Sequence, residues 1–413
     1  MTDLRRWIVM VILCVSGGIV YLLPFMREVY YIPLQTALGL TNVEFGTLMA
    51  AFGVSSMLSY GPGGWLADRL TPRLLISVSL ILTGLGGLFF MSFPSYKVAL
   101  LIHGFWGITV TGTYWGAMIK ATRAWASADG QGRAFGILEG GRGITEAAAT
   151  SGFLVLFAWL GSTQAGLSKI ILSYAICNIV LGIAAWFFLD SRQPAESDSK
   201  PPSLADILAV LRRPDVWLIA IVVFTAYSAY WGSFYFTPYA TDILLMSVVV
   251  GGAIGAGKNW LRPLAAGVAG YIADKVGVAR TVSVCFIVLA LSFSILGIVP
   301  GKAALFPAIL VNMTIGFLGI FALRGIYFAL MAETGIPMAV TGTAAGVLSM
   351  IGFTPDIFMP IIGGVFLDSM PGKDGYRYFF FLIAVMCIIG FAATHMIKRQ
   401  IHRDGVGNSS SPY

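Results

Sequence analysis

Long apolar runs separated by short polar breaks make up almost the whole chain. Twelve can be drawn, at 7–31, 44–67, 73–93, 97–119, 133–159, 167–189, 215–239, 244–272, 279–299, 304–330, 338–367 and 376–397. Each is near the roughly 20 residues that a helix needs to cross the hydrocarbon core of a bilayer, so the pattern predicts twelve transmembrane helices. The sixth run ends at Leu189, and Asp190 to Arg213, with Pro194, Glu196, Asp198, Lys200, Pro201 and Pro202, is the long polar segment of the interior. The expected organisation is an N-terminal half 1–189, a cytoplasmic linker 190–213, a C-terminal half 214–400 and a disordered cytoplasmic tail 401–413. Within the linker, Ser203 to Leu211 reads as a short amphipathic surface helix.

Composition agrees with this class. Hydrophobic residues make up 57% of the chain and charged residues 11%, whereas a water-exposed surface calls for roughly 25% charged residues. The net charge of +7 comes from bases in the short breaks, which points to membrane orientation and away from nucleic acid. Arg5, Arg6, Arg69, Arg73, Arg123, Arg133, Lys275, Arg280, Lys398 and Arg399 fall on one side, and Lys97, Lys169, Lys302, Lys373 and Arg377 on the other. Both termini are therefore expected in the cytoplasm. The four cysteines stand singly in separate runs, without metal-ligand spacing. The first apolar run follows Arg5-Arg6 without a small-residue cleavage site, so it reads as a retained helix.

One polar turn occurs twice. Gly64-Trp-Leu-Ala-Asp68-Arg69, with Arg73 downstream, is echoed by Gly270-Tyr-Ile-Ala-Asp274-Lys275, with Arg280 downstream, 206 residues later. The turn resembles the signature between helices 2 and 3 of the major facilitator superfamily, and its echo the degenerate copy between helices 8 and 9. Thr71 and Pro72 stand where the family usually has glycine and a base; the second copy keeps Gly277. The resemblance implies an all-α integral membrane fold of twelve transmembrane helices in two pseudo-symmetric six-helix halves. It also implies a cavity lined by helices 1, 4, 7 and 10, and gating turns at Asp68, Arg69, Arg73, Asp274, Lys275 and Arg280. Lys120-Ala-Thr-Arg123-Ala-Trp125, Gly132-Arg133-Ala-Phe-Gly136 and Glu139-Gly-Gly-Arg142-Gly143 resemble the organophosphate and organic-anion branch. Phosphate antiporters of that branch pair arginines on helices 1 and 7. Arg27 can fill the first place, but helix 7 here carries no base, which favours a carboxylate over a phosphate ester.

The chemistry rests on charges inside apolar runs, each costing on the order of 2.5–3.5 kcal/mol at mid-bilayer unless paired or hydrated. Lys258 sits near the centre of the eighth run, as a substrate-binding cation or as half of a locking pair. Arg324 lies within the tenth, and its 204-residue offset from Lys120 nearly matches the repeat. Glu139, Arg142 and Glu146 share a helix face at i, i+3 and i+7 and, with Asp356 of the eleventh run, are the coupling candidates. Arg27 and Glu28 read either as an interface anchor or as cavity lining; His103 reads as packing. Tyr227, Tyr230 and Trp231 recur at helical spacing and suit a wet wall as well as an interface belt.

The reading is a secondary active transporter of the bacterial inner membrane, a monomer without cofactor or metal, moving a small polar metabolite by alternating access with protons or a counter-substrate. The leading class is an organic anion bound by Arg27, Tyr227, Tyr230, Trp231, Lys258 and Arg324. The rivals are a proton-driven exporter of amphipathic drugs, a carrier of neutral or zwitterionic metabolites such as amino acids, nucleosides or siderophores, and a transporter-like sensor. No catalytic set or phosphate-cradling loop appears, so the chain does not read as an enzyme.

Overall fold

Capping residues start several of the helices at the predicted breaks. Thr41 and Glu44 form a reciprocal box, Thr41 Oγ1 accepting from the Glu44 amide at 3.1 Å and Glu44 Oε2 accepting from the Thr41 amide at 3.0 Å. Thr163 Oγ1 accepts from the Gly166 amide at 3.0 Å. Thr71 and Pro72, the two departures in the first signature turn, serve the same purpose. Thr71 Oγ1 accepts from the Leu74 amide at 3.4 Å and Pro72 occupies the first helical position. In the second turn Gly277, at φ 96°, adopts a backbone that other residues rarely reach.

The computed structural model describes residues 3–125, 131–189, 211–336, 341–370 and 372–409, without the side chains of 3, 68, 131, 132, 341–343 and 402–409. The Asp68 side chain, most of the 190–213 linker with its expected surface helix, and residues 410–413 lie outside the described residues. In chain order the helices are α1 (Asp3–Ile19), α2 (Arg27–Leu38), α3 (Asn42–Arg69), α4 (Pro72–Phe90), α5 (Tyr96–Gly107), a π-helical stretch (Ile108–Trp115), α6 (Gly116–Trp125), α7 (Gln131–Trp159) and α8 (Gln164–Phe188). They continue as α9 (Pro214–Ser233), α10 (Phe236–Asp242), α11 (Val248–Val276), α12 (Val278–Ile298), α13 (Phe306–Ile326), α14 (Leu330–Glu333), α15 (Thr341–Gly352), α16 (Pro355–Ser369) and α17 (Lys373–Ser409). No strand occurs among the described residues. The last helix extends into the stretch from 401 that the sequence reads as disordered.

Among the described residues, seven helices are long and apolar enough to cross a membrane, or eight if α2 and α3, bent by 119°, count as one span. The other predicted spans are also helical. Charges such as Glu139, Arg142 and Glu146 in α7, or Lys258 and Arg262 in α11, lower their apolarity. Several predicted spans are interrupted. The first is split by the turn around Pro24 into α1 and α2, and the eleventh breaks at Phe353 and Thr354 before Pro355. The tenth ends α13 at Ile326 and continues through the 3₁₀ turn Tyr327–Ala329.

The structure divides into two compact units, Met1–Asp198 with Thr237–Trp260, and Ser199–Phe236 with Leu261–Tyr413. In the first, α4 packs on α8, α1 on α7 and α3 on α5; in the second, α12 and α9 both pack on α17. Thr237–Trp260 falls in the C-terminal half by sequence but groups with the first unit. Close backbone contact with α2 explains this: Thr237 Oγ1 donates to the Glu28 carbonyl at 3.0 Å. A Cβ at Gly252 would stand 2.8 Å from the Val29 carbonyl oxygen, and one at Gly255 would collide with the Glu28 carbonyl. Gly255→Ala is therefore expected to push the helices apart and lower stability by about 1–3 kcal/mol, read as a lower unfolding temperature in detergent. An unchanged temperature would show that the crossing tolerates a side chain.

Candidate substrate and coupling sites

In the second unit the structure brings together five of the residues singled out in the sequence. α9 presents Tyr227, Tyr230 and Trp231 within slightly more than one turn. Asp356 of α16 accepts from Trp231 Nε1 at 2.7 Å and from Tyr227 Oη at 3.3 Å. The Arg324 guanidinium lies 4.0 Å from the centre of the Tyr230 ring and 5.5 Å from that of Tyr227. Phe353 packs against Tyr227 with ring centres 4.8 Å apart, and Phe234 stacks on Trp231 at 4.5 Å.

The helix breaks make these charges tolerable. Asp356 stands in the first turn of α16 and Arg324 in the last turn of α13. Aligned peptide dipoles favour a negative charge at the first and a positive charge at the second, as in the interrupted helices of other transporters. Cation–π contact adds about 0.5–2 kcal/mol for Arg324, depending on its hydration. Among the described residues no carboxylate lies within ion-pair distance of Arg324.

The first unit holds a different arrangement. Lys258 Nζ lies 2.7 Å from Glu28 Oε1, both side chains buried. Lys258 thus has the carboxylate partner that the locking-pair reading requires. A lone ammonium at that depth is costly, and Glu28, in the first turn of α2, neutralises it. Arg27 is also buried and is not a surface anchor. Its guanidinium lies 4.9 Å from the ring centres of both Tyr31 and Phe45, and Nη1 donates to the Phe45 carbonyl at 3.4 Å. His103 Nδ1 lies 2.9 Å from the Ala99 carbonyl and its ring packs among Phe90 and Trp106, in keeping with a packing role.

On α7, Arg142 Nη1 and Glu139 Oε1 are 2.5 Å apart, while Arg142 Nε donates to the Gly17 carbonyl at 3.3 Å. Gly17 is small for a reason: a Cβ there would stand 2.8 Å from the Arg142 side chain. Nearby on α1 and the π-helical stretch, Ser16 Oγ and Tyr114 Oη share a 2.7 Å hydrogen bond. Glu146 is half-buried, one turn further along α7.

The two signature turns share a detail that the motif's spacing did not convey. Arg69 stacks on Trp65 at 4.0 Å, and Lys275 on Tyr271 at 4.3 Å. Both pairs are one helical turn apart and repeat at the same 206-residue offset. Arg73 lies over Trp186 at 4.4 Å, while Asp274 and Arg280 are exposed. Lys120, the nominal counterpart of Arg324, donates to the Ala67 carbonyl at 2.6 Å and so caps the end of α3. Glu333 was missed in the sequence. Its Oε2 accepts from the Ala279 amide at 2.7 Å, holding α14 to the start of α12.

Fold and sites together define a multi-pass helical membrane protein with charged groups held at interrupted helices. Residues 7–355 match the sequence profile of the Major Facilitator Superfamily. The chain is 30% identical over 407 residues to the inner membrane protein YihN of Escherichia coli, covering 96% of each chain. It is 32% identical over 411 residues to the inner membrane protein YqcE of the same organism, covering 95% of this chain and 93% of the relative. Its fold matches a bacterial homolog to the human lysosomal transporter Spinster, crystallised in an inward-facing and unoccupied conformation. The TM-score is 0.80 at 14% identity, covering 98% of this chain and 99% of the other. The chain belongs to the Major Facilitator Superfamily; it is a membrane transporter and not an enzyme.

Proposed function

We propose that this protein is a secondary active transporter that moves a small organic anion across the bacterial inner membrane by alternating access coupled to protons. It works as a monomer with both termini in the cytoplasm. The observation that carries the reading is Arg324, a cation at a helix end within an apolar span, faced by the rings of Tyr227 and Tyr230. Such a guanidinium attracts an anion strongly where water is scarce. Asp356, hydrogen-bonded to Tyr227, supplies a carboxylate for the coupling proton. The names of YihN and YqcE support the inner membrane, and the distribution of bases supports the orientation.

Counterflow in proteoliposomes tests this against labelled carboxylates, phosphate esters, amino acids and nucleosides at two pH values. Exchange of carboxylates at rates that differ between the two pH values is expected. Exchange confined to amino acids or nucleosides would replace the anion with a zwitterionic or neutral substrate. Loss of exchange to many unrelated amphipathic compounds would point to drug export, and binding without counterflow to a sensor.

A further inference from the structure

Asp356 accepts from two donors of unlike chemistry. The Trp231 indole N–H can only donate, and its bond to Oδ1 is short, at 2.7 Å; the Tyr227 hydroxyl can donate or accept, and its bond to Oδ2 is longer, at 3.3 Å. An ionised carboxylate only accepts, so while Asp356 is charged the Tyr227 hydrogen points toward it. A proton on Oδ1 would take up part of that oxygen's acceptor capacity and weaken the short indole bond, whereas on Oδ2 it meets a hydroxyl able to accept it. It therefore goes to Oδ2, and the new carboxyl O–H donates to Tyr227 Oη. The phenol then turns from donor to acceptor at this bond, and its own hydrogen is released. No bond of the tyrosine ionises: one proton is added to Asp356, and one hydroxyl hydrogen changes direction.

We infer that Tyr227 is a proton-linked binding residue, turned toward Asp356 while that acid is ionised and released to an oxygen of an anionic substrate once Asp356 is protonated. The inference rests on the proposed roles of Asp356 and Arg324 in coupling and anion binding. Position supports it: the same Tyr227 ring faces the Arg324 guanidinium at 5.5 Å and the Tyr230 ring at 5.5 Å. The released donor thus belongs to the group of side chains that holds Arg324. The titratable and charged groups around Asp356 are Tyr227 from α9 and Arg324 from α13, with Tyr230 and Tyr327 of the adjoining 3₁₀ turn beyond Tyr227. Among the described residues, α17 brings no charge to bear on it.

Infrared difference spectroscopy of the full chain in liposomes, acid minus alkaline, reads each step. A protonated-carboxyl band is expected in the unmodified protein and absent in Asp356→Asn. In Tyr227→Phe the band should persist at higher frequency, because its O–H has lost its acceptor. Isotopic labelling of the tyrosine rings gives a second readout that needs no change at Tyr227: a tyrosine C–O band should shift on acidification, and fail to shift in Asp356→Asn. Sodium acetate, as the smallest carboxylate, should move that tyrosine band further at acid pH and leave it unmoved at alkaline pH. A carboxyl band at one frequency in both proteins, or no acid-induced tyrosine shift, overturns the reversal. An acid-induced shift without any acetate response upholds the reversal and sinks the anion assignment by itself.

Discussion

Uptake by an Arg324→Ala variant is expected to fall more than a hundredfold, while the protein remains folded. Arg324 sits in the last turn of α13, over the faces of Tyr230 and Tyr227. Its removal from the fold forfeits a dipole interaction of about 0.3–1 kcal/mol and cation–π contacts of about 0.5–2 kcal/mol. Neither is enough to unfold a protein with a stability of about 5–15 kcal/mol. For an anion the loss is larger, because a charge-assisted hydrogen bond contributes about 1.5–3 kcal/mol and a guanidinium can offer two at once. Arg324→Lys should recover only part of the rate, since lysine keeps the charge but not the planar fork. Initial rates in proteoliposomes, beside unfolding temperatures in detergent, measure both sides. An alanine variant that transports normally would remove Arg324 from the site.

The second large effect is on stability. Glu28→Leu is expected to cost about 3–5 kcal/mol, because it leaves the Lys258 ammonium buried without its carboxylate. Both side chains of this pair are nearly inaccessible, at 10% and 1% exposure. Lys258→Met alone takes the ammonium away from Glu28 and should also lower the unfolding temperature. Replacing both together should return the unfolding temperature close to that of the unmodified protein, because two apolar side chains leave no charge to solvate. The double variant also separates roles, since a purely locking pair leaves substrate binding intact when exchanged for apolar packing. If Glu28→Leu melts like the parent, the pair is not what holds α2 to α11.

The sequence revealed the class of fold because lipid imposes a strong pattern: nearly every stretch of 20 residues is either apolar or a polar break. It revealed the second-unit cluster because Tyr227, Tyr230 and Trp231 share a helix face, and because Arg324 and Asp356 are charges where charges are costly. The partner of Lys258 could not be found that way. Glu28 lies 230 residues upstream, and periodicity within one helix carries no information about which helices cross. The offset linking Lys120 to Arg324 was misleading for a related reason. Duplication preserves position, but Lys120 caps α3 while Arg324 ends a helix beside aromatic rings. Only part of the breaks could be read as well: Pro24 and Pro355 mark two of them, whereas nothing in Tyr327–Ala329 announces the end of α13.

The interruption at Phe353 and Thr354 ties shape to charge. Were α15 and α16 to fuse into one continuous rod, Asp356 would pass from the end of a helix to its middle, where peptide dipoles no longer favour an anion. A straightened form is then accessible chiefly to the neutral acid, so the bend and the ionised carboxylate sustain each other, and whatever discharges one loosens the other.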